Sequence, residues 1–298
     1  MSNVEPRFGR LITAMVTPFN DERELDLDRA QALATRLIEG GNDSLIINGT
    51  TGESPTVFYP QKIELFRAVV EAVGGKAPVI ANVGDNCTAD TVNFAKDVAK
   101  LGVDGFMCVV PYYNKPPQEG MYQHFKTIAD AVELPIILYN IPGRCVVNME
   151  AETTLRLAND CENIIAVKEA SGKMDQIATI AAAAPEGFSV YSGDDSATYD
   201  IMRLGGAGVI STTGNVAPER MKELVTKCAE GKWDEAWAAH EALLPLMNGL
   251  FETSNPILVK EALKLVGFPV GGVRLPLIDA TAEQSARLAS IMREVGVL

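Results

Sequence analysis

The chain has 298 residues, 47% of them hydrophobic and 22% charged, enough for one large domain or a domain with an appendage. Its formal charge of −13 argues against nucleic acid, which is bound mainly through Lys and Arg, and equally against an anionic membrane surface. Five cysteines without a C-x-x-C pair fit reduced thiols in a cytosolic protein, and two histidines leave little for a multi-histidine metal site.

Glu5 and Arg7 precede the first apolar run, so the start does not read as a signal peptide. No apolar stretch reaches the roughly 18 residues of a membrane span. The first β-rich run begins near Leu11 and closes on Thr17, and helical periodicity follows from Leu27 to Glu39. A second run begins near Ser44 and leads into Gly49-Thr50-Thr51-Gly52-Glu53. The glycines there permit a tight turn with positive φ. The threonines offer hydroxyls and N–H groups to a carboxylate, and a generic turn is the alternative. Ile63 to Val73 again has helical spacing.

Runs from Pro78 and Asp104 close on Gly84-Asp85-Asn86 and on Pro111-Tyr112-Tyr113-Asn114, and Pro116-Pro117 stiffens the loop after the second. A run from Pro135 ends at Tyr139-Asn140. Tyr139 is a candidate general acid or base, with a barrel-core aromatic as the alternative. Arg144, in the turn Asn140-Ile141-Pro142-Gly143-Arg144, is a candidate carboxylate clamp, with a surface arginine as the alternative.

The run from Ile164 closes on Lys168-Glu169. Lysine is almost never buried unpaired, and burial lowers its pKa, leaving free amine to attack a carbonyl carbon. A structural lysine ion-paired with Glu169 is the competing reading. Runs from Phe188 and Gly208 end at Ser192-Gly193-Asp194-Asp195 and Ser211-Thr212-Thr213-Gly214. The two aspartates there disfavour phosphate. Gly205-Gly206-Ala207-Gly208 precedes a strand, so it reads as a helix-to-strand turn rather than a dinucleotide fingerprint.

Eight strand–helix beats in about 210 residues indicate an α/β fold, a (β/α)8 barrel, with a doubly wound sheet as runner-up. Polar strand tips then converge on one mouth, and Lys168 is their only lysine. Residues 1–230 read as this catalytic barrel and 231–298 as a C-terminal helical extension covering its flank. Trp233, Trp237, His240, Leu244 and Met247 form an apolar stripe there, with His240 packed in it and Pro245 expected to kink the helix.

Together these tips resemble the dihydrodipicolinate synthase family of pyruvate-dependent class I aldolases over nearly the whole chain. The marks are G-T-T-G-E at Gly49–Glu53, P-Y-Y-N at Pro111–Asn114, Y-N-I-P-G-R at Tyr139–Arg144, V-K-E-A at Val167–Ala170 and S-G-D-D at Ser192–Asp195. The resemblance implies that Lys168 forms a Schiff base with pyruvate and that Thr50 and Thr51 hold the pyruvate carboxylate. It implies that Tyr139 is the central acid/base, relayed through Thr50 to Tyr113 of a neighbouring subunit. Arg144 would bind the carboxylate of L-aspartate 4-semialdehyde, with the backbone carbonyls of Gly193 and Ile210 lining that site. The implied reaction condenses the two substrates in the diaminopimelate route to lysine, without metal or other cofactor, in a homotetramer built from two tight dimers.

Related aldolases of N-acetylneuraminate and 2-keto-3-deoxy-sugar acids share the scaffold but generally lack an arginine at position 144. A non-catalytic 2-oxo acid sensor is the alternative from another class. Cys145-Val146 follow Arg144 where the family often has Thr-Gly or Thr-Val, which removes a hydroxyl from the arginine's support. Lysine-inhibited members commonly carry histidine and glutamate at the positions of Lys62 and Asp90, while Ser54, Tyr59, Asn86 and Tyr112 match the rest of that allosteric cleft. Weak or absent feedback inhibition is the expectation.

Overall fold

Each apolar run is short, bounded by turn residues and buried on both faces, which is the pattern of a parallel strand covered by helices. The computed structural model describes residues 5–298. Its strands are β1 (Leu11–Ala14), β2 (Ser44–Ile47), β3 (Val79–Asn82), β4 (Gly105–Val109), β5 (Ile136–Asn140), β6 (Ile164–Glu169), β7 (Ser189–Ser192) and β8 (Gly208–Ser211). They run in sequence order and close into a barrel through parallel pairing of β1 with β8. The doubly wound alternative is thereby excluded.

The helices are α1 (Leu27–Glu39), α2 (Tyr59–Val73), α3 (Thr88–Ala99), α4 (Gln118–Ala131), the single turn α5 (Pro142–Cys145), α6 (Ala151–Asp160), α7 (Met174–Ala183), α8 (Thr198–Arg203) and α9 (Pro218–Ala229). Beyond them lie α10 (Trp233–Gly249), α11 (Ile257–Leu265) and α12 (Ala282–Glu294). None is long and apolar enough to cross a membrane among the described residues.

Successive strand residues face opposite sides, so one sequence feeds two cores. Ile12, Ile46, Ile80, Met107, Ile137 and Ile210 fill the barrel, with Phe8 packed among them at the N-terminal ends of the strands. Leu11, Leu45, Val79, Phe106, Leu138 and Val167 pack outward with the helices. Register places Tyr139 opposite Lys168 across β5 and β6, and Lys168 opposite Tyr191 across β6 and β7.

The glycine run before β8 is the expected helix-to-strand turn, with Gly205 at φ +99° after α8. Two expectations about the extension need revision. The buried face of α10 is Ala236, His240, Leu243, Leu246 and Met247, whereas Trp237 is 44% exposed beside Tyr199. A stripe chosen by hydrophobicity thus lies rotated from the face that packs, and His240 and Met247 belong to both. The extension also does more than cover a flank. α10 packs on α8 and α9, but Asn255, Lys260 and Arg274 reach across to the turn after β2.

Candidate active site

Strand alternation separates Lys168 from Glu169, the partner that its structural reading requires. Ala166 and Lys168 point into the barrel, so Glu169 points out of it. Glu169 accepts from Asn140 Nδ2 at 2.5 Å, Ser171 Oγ at 2.7 Å and Gln176 Nε2 at 3.1 Å. It is not a counter-ion for Lys168, which makes no ion pair within 4.0 Å among the described residues. The lysine is 6% exposed, with Nζ over the Tyr139 ring at 4.3 Å from its centroid. Burial lowers its pKa to about 8; Asp195 opposes that effect and the Arg144 guanidinium adds to it.

Tyr139 is buried, and desolvation raises its phenol to about 12 against the Thr50 hydrogen bond and the positive charge of Arg144. A phenol held this high stays protonated at neutral pH, and Thr50 is the neighbour that favours its ionised form. Tyr113 is not part of this cluster: it is 88% exposed, at φ +73°, on the loop after β4.

The turn after β2 is built differently from expectation. Positive φ falls on Asn48 and Glu53, not on the glycines. A side chain at Gly52 would place its Cβ 3.1 Å from Asn48 Cα and 3.2 Å from Met15 O, so the glycine answers a close backbone approach. Thr17 Oγ1 donates to Gly52 O at 2.6 Å, fixing the turn to β1. Thr51 is buried and lies 3.5 Å from Thr212 at the tip of β8, hydroxyl to hydroxyl. Gly193 cannot carry a side chain, since a Cβ would sit 2.7 Å from that of Ala170. Ile210 lies in the inner layer of β8.

Arg144 is exposed on α5, and its Nη2 donates to Asn255 O at 3.4 Å. The Cys145 thiol behind it donates to Val110 O at 3.1 Å and is pushed up to about 11, so it remains a weak donor in place of the hydroxyl that the family often has there. Val146 holds φ +70°, a costly conformation for a β-branched residue.

Three participants escaped the sequence. Asp195, read only as repelling phosphate, is buried and accepts from Ser211 Oγ, Thr212 N, Thr213 N and Thr213 Oγ1 at 2.5–3.0 Å, joining β7 to β8. Glu53 forms a fully buried ion pair with Lys260 at 2.6 Å. Asn255 donates to Thr51 Oγ1 at 2.9 Å. Glu53 and Asp195 close two of the tip motifs, but nothing in the sequence announces the partners that they and Asn255 meet.

A separate cleft of about 210 Å³ is lined by Ser54, Tyr59, Lys62, Asp90, Asp85 and Phe94, among others. Asn86 and Tyr112 adjoin it, with Asn86 Nδ2 donating to Tyr112 O at 3.1 Å. Lys62 lies 5.6 Å from the Phe94 ring centroid, and burial lowers its pKa while Asp85 opposes that. No group of three or more His, Cys, Asp or Glu is placed to hold a metal among the described residues.

Residues 7–295 match the model of the dihydrodipicolinate synthetase family. The chain is 53% identical over 292 residues to the 4-hydroxy-tetrahydrodipicolinate synthase of Moorella thermoacetica, covering 98% of this chain and 100% of that one. The fold superposes at TM-score 0.97 and 46% identity on the lysine-bound crystal structure of dihydrodipicolinate synthase from Cyanidioschyzon merolae, covering 99% and 100% of the two chains. It matches the pyruvate complex of the chloride-inhibited enzyme from Acinetobacter baumannii at TM-score 0.95 and 36% identity, covering 98% and 100%. The barrel, its polar mouth and these relatives agree: the chain belongs to the dihydrodipicolinate synthetase family.

Proposed function

We propose that this chain condenses pyruvate with L-aspartate 4-semialdehyde, as a lyase of lysine biosynthesis, through a Schiff base on Lys168. The observation that carries the reading is a buried lysine in no ion pair among the described residues, two residues above the barrel's inner core and against a buried tyrosine. The free amine attacks the keto carbon of pyruvate, and loss of water leaves an iminium. The iminium draws electrons from the adjacent methyl group, which releases a proton and becomes an enamine. The enamine carbon then attacks the aldehyde, whose oxygen takes up a proton. Tyr139, coupled to Thr50, moves protons in these steps, and Thr50 and Thr51 hold the pyruvate carboxylate. Arg144 receives the carboxylate of the semialdehyde, with the carbonyls of Gly193 and Ile210 along the same wall. No cofactor enters this chemistry: the iminium is the electron sink.

In this reading residues 1–230 are the catalytic barrel, completed by the extension 231–298. Tyr113 serves the site of a neighbouring copy, so the active form is at least a dimer and is assigned as a tetramer of two such dimers. Its exposure and left-handed backbone at a loop tip support that placement.

Because burial holds Lys168 near pH 8, the neutral nucleophile gains as pH rises. The rate of pyruvate capture should rise close to tenfold per pH unit well below 8 and level off above it. A rate flat between pH 6 and 9 contradicts this. Arg144→Ala should lose about 1.5–3 kcal/mol of binding to the semialdehyde, roughly 10- to 150-fold, while pyruvate KM changes little. Equal damage to both substrates removes its assigned role.

The cleft lined by Lys62 and Asp90 is assigned as a weak or silent lysine site. A cation at position 62 repels the ammonium of the ligand, and the shorter acid at position 90 reaches it less well. Steady-state rates should show no half-inhibition below 1 mM lysine, on the order of a binding free energy of −4 kcal/mol or weaker. Submillimolar half-inhibition would overturn the assignment.

A further inference from the structure

We propose that Asn255 is a positioning residue that sets the polarity of the Thr51 hydroxyl, directing its proton toward the carboxylate of the bound 2-oxo acid. The proposal rests on the reading that Thr51 holds that carboxylate. Asn255 is buried, and its Nδ2 donates to Thr51 Oγ1 at 2.9 Å. A hydroxyl that accepts there still has its own proton to place. Among the described residues the only other side-chain neighbour bonded to it is Thr212 Oγ1, at 3.5 Å, well beyond the span of a good O–H···O bond. The proton is therefore available to an acceptor entering the mouth.

The other atom of the amide carries the cost of this orientation. Asn255 Oδ1 is buried without a hydrogen-bond partner. Rotating the amide by half a turn would place that acceptor against Thr51 and draw its proton away from the ligand. The orientation present leaves an amide oxygen unsatisfied and keeps the threonine a donor. The backbone carbonyl of the same residue accepts from Arg144 Nη2 at 3.4 Å. One residue thus touches the groups assigned to both substrate carboxylates.

Its backbone is anchored beneath. On α11, the Lys260 ammonium pairs with Glu53 at 2.6 Å and donates to Gly272 O at 2.8 Å. Arg274 N donates to the other Glu53 oxygen at 2.9 Å. Glu53 ends the turn that carries Thr50 and Thr51, so the segment bearing Asn255 and the turn it serves are held as one piece.

The test is a double-mutant cycle between Asn255→Ala and Thr51→Val, with Asn255→Asp as a third variant, read as KM and kcat for pyruvate at saturating semialdehyde. Asn255→Ala should raise pyruvate KM about 5- to 20-fold and leave kcat within about threefold, the loss of one hydrogen bond. Asn255→Asp, of the same shape but able only to accept, should raise KM further. In the Thr51→Val background the alanine substitution should add little, since the hydroxyl it orients is gone. Should Asn255→Ala fail to fold, Asn255→Asp against wild type carries the same comparison.

Pyruvate KM within twofold of wild type, or a penalty that adds in full to Thr51→Val, overturns the role of Asn255. Schiff-base formation by the wild-type enzyme is measured alongside. If it fails, the reading of the site falls and this inference with it; if it succeeds and the variants keep wild-type KM, only the inference falls.

Discussion

An ammonium in the mouth of a closed barrel, in no ion pair among the described residues and with only Asp195 acting on it from a distance, is the constraint around which the rest of the site is arranged. Water is excluded from Lys168 by Ala166, Tyr139 and Tyr191, which share the inward-facing parity of their strands. Lowering its pKa from 10.5 to about 8 means that holding the charged form costs about 3 kcal/mol relative to water. The sign follows from linkage. The unfolded chain keeps this proton up to about pH 10.5 and the folded chain only to about 8, so folding gains stability as pH rises through that window and lacks it below 8. The fold carries that cost at neutral pH, and reactivity is what the cost provides.

Lys260 shows what a structural lysine looks like in the same molecule. It too is buried and lowered to about 8, yet it sits against Glu53 and the Gly272 carbonyl, with the Phe19 ring on another side. One buried amine is committed to partners and the other is left free to meet a ligand. The difference lies in the neighbours, not in burial or pKa alone. The committed pair stitches the extension to the turn after β2, so the chain's last third helps shape a site whose chemistry comes from its first two-thirds.

The strands were legible because alternation and turn residues speak locally: every predicted start lies within one residue of the observed one. The tip motifs were legible for the same reason, since a closed barrel gathers strand ends whatever their spacing in sequence. What local pattern cannot carry is direction and distance. Glu169 looked like a partner for Lys168 because it is adjacent, and adjacency on a strand guarantees opposite faces. The glycines of the turn after β2 looked like sites of positive φ, while Asn48 and Glu53 adopt it. On α10 the bulky residues suggested one stripe, and small Ala236 marks the face that packs. Asn255 and Lys260 meet partners more than 200 residues away, and no periodicity signals such a meeting.

Reductive trapping tests the central claim most directly: borohydride is added to the enzyme with pyruvate, and the modified peptide is mapped by mass. The account predicts one reduced adduct of pyruvate, on the peptide containing Lys168, and none on Lys260. Turnover that persists with Lys168 unmodified, or an adduct on another lysine, would contradict it.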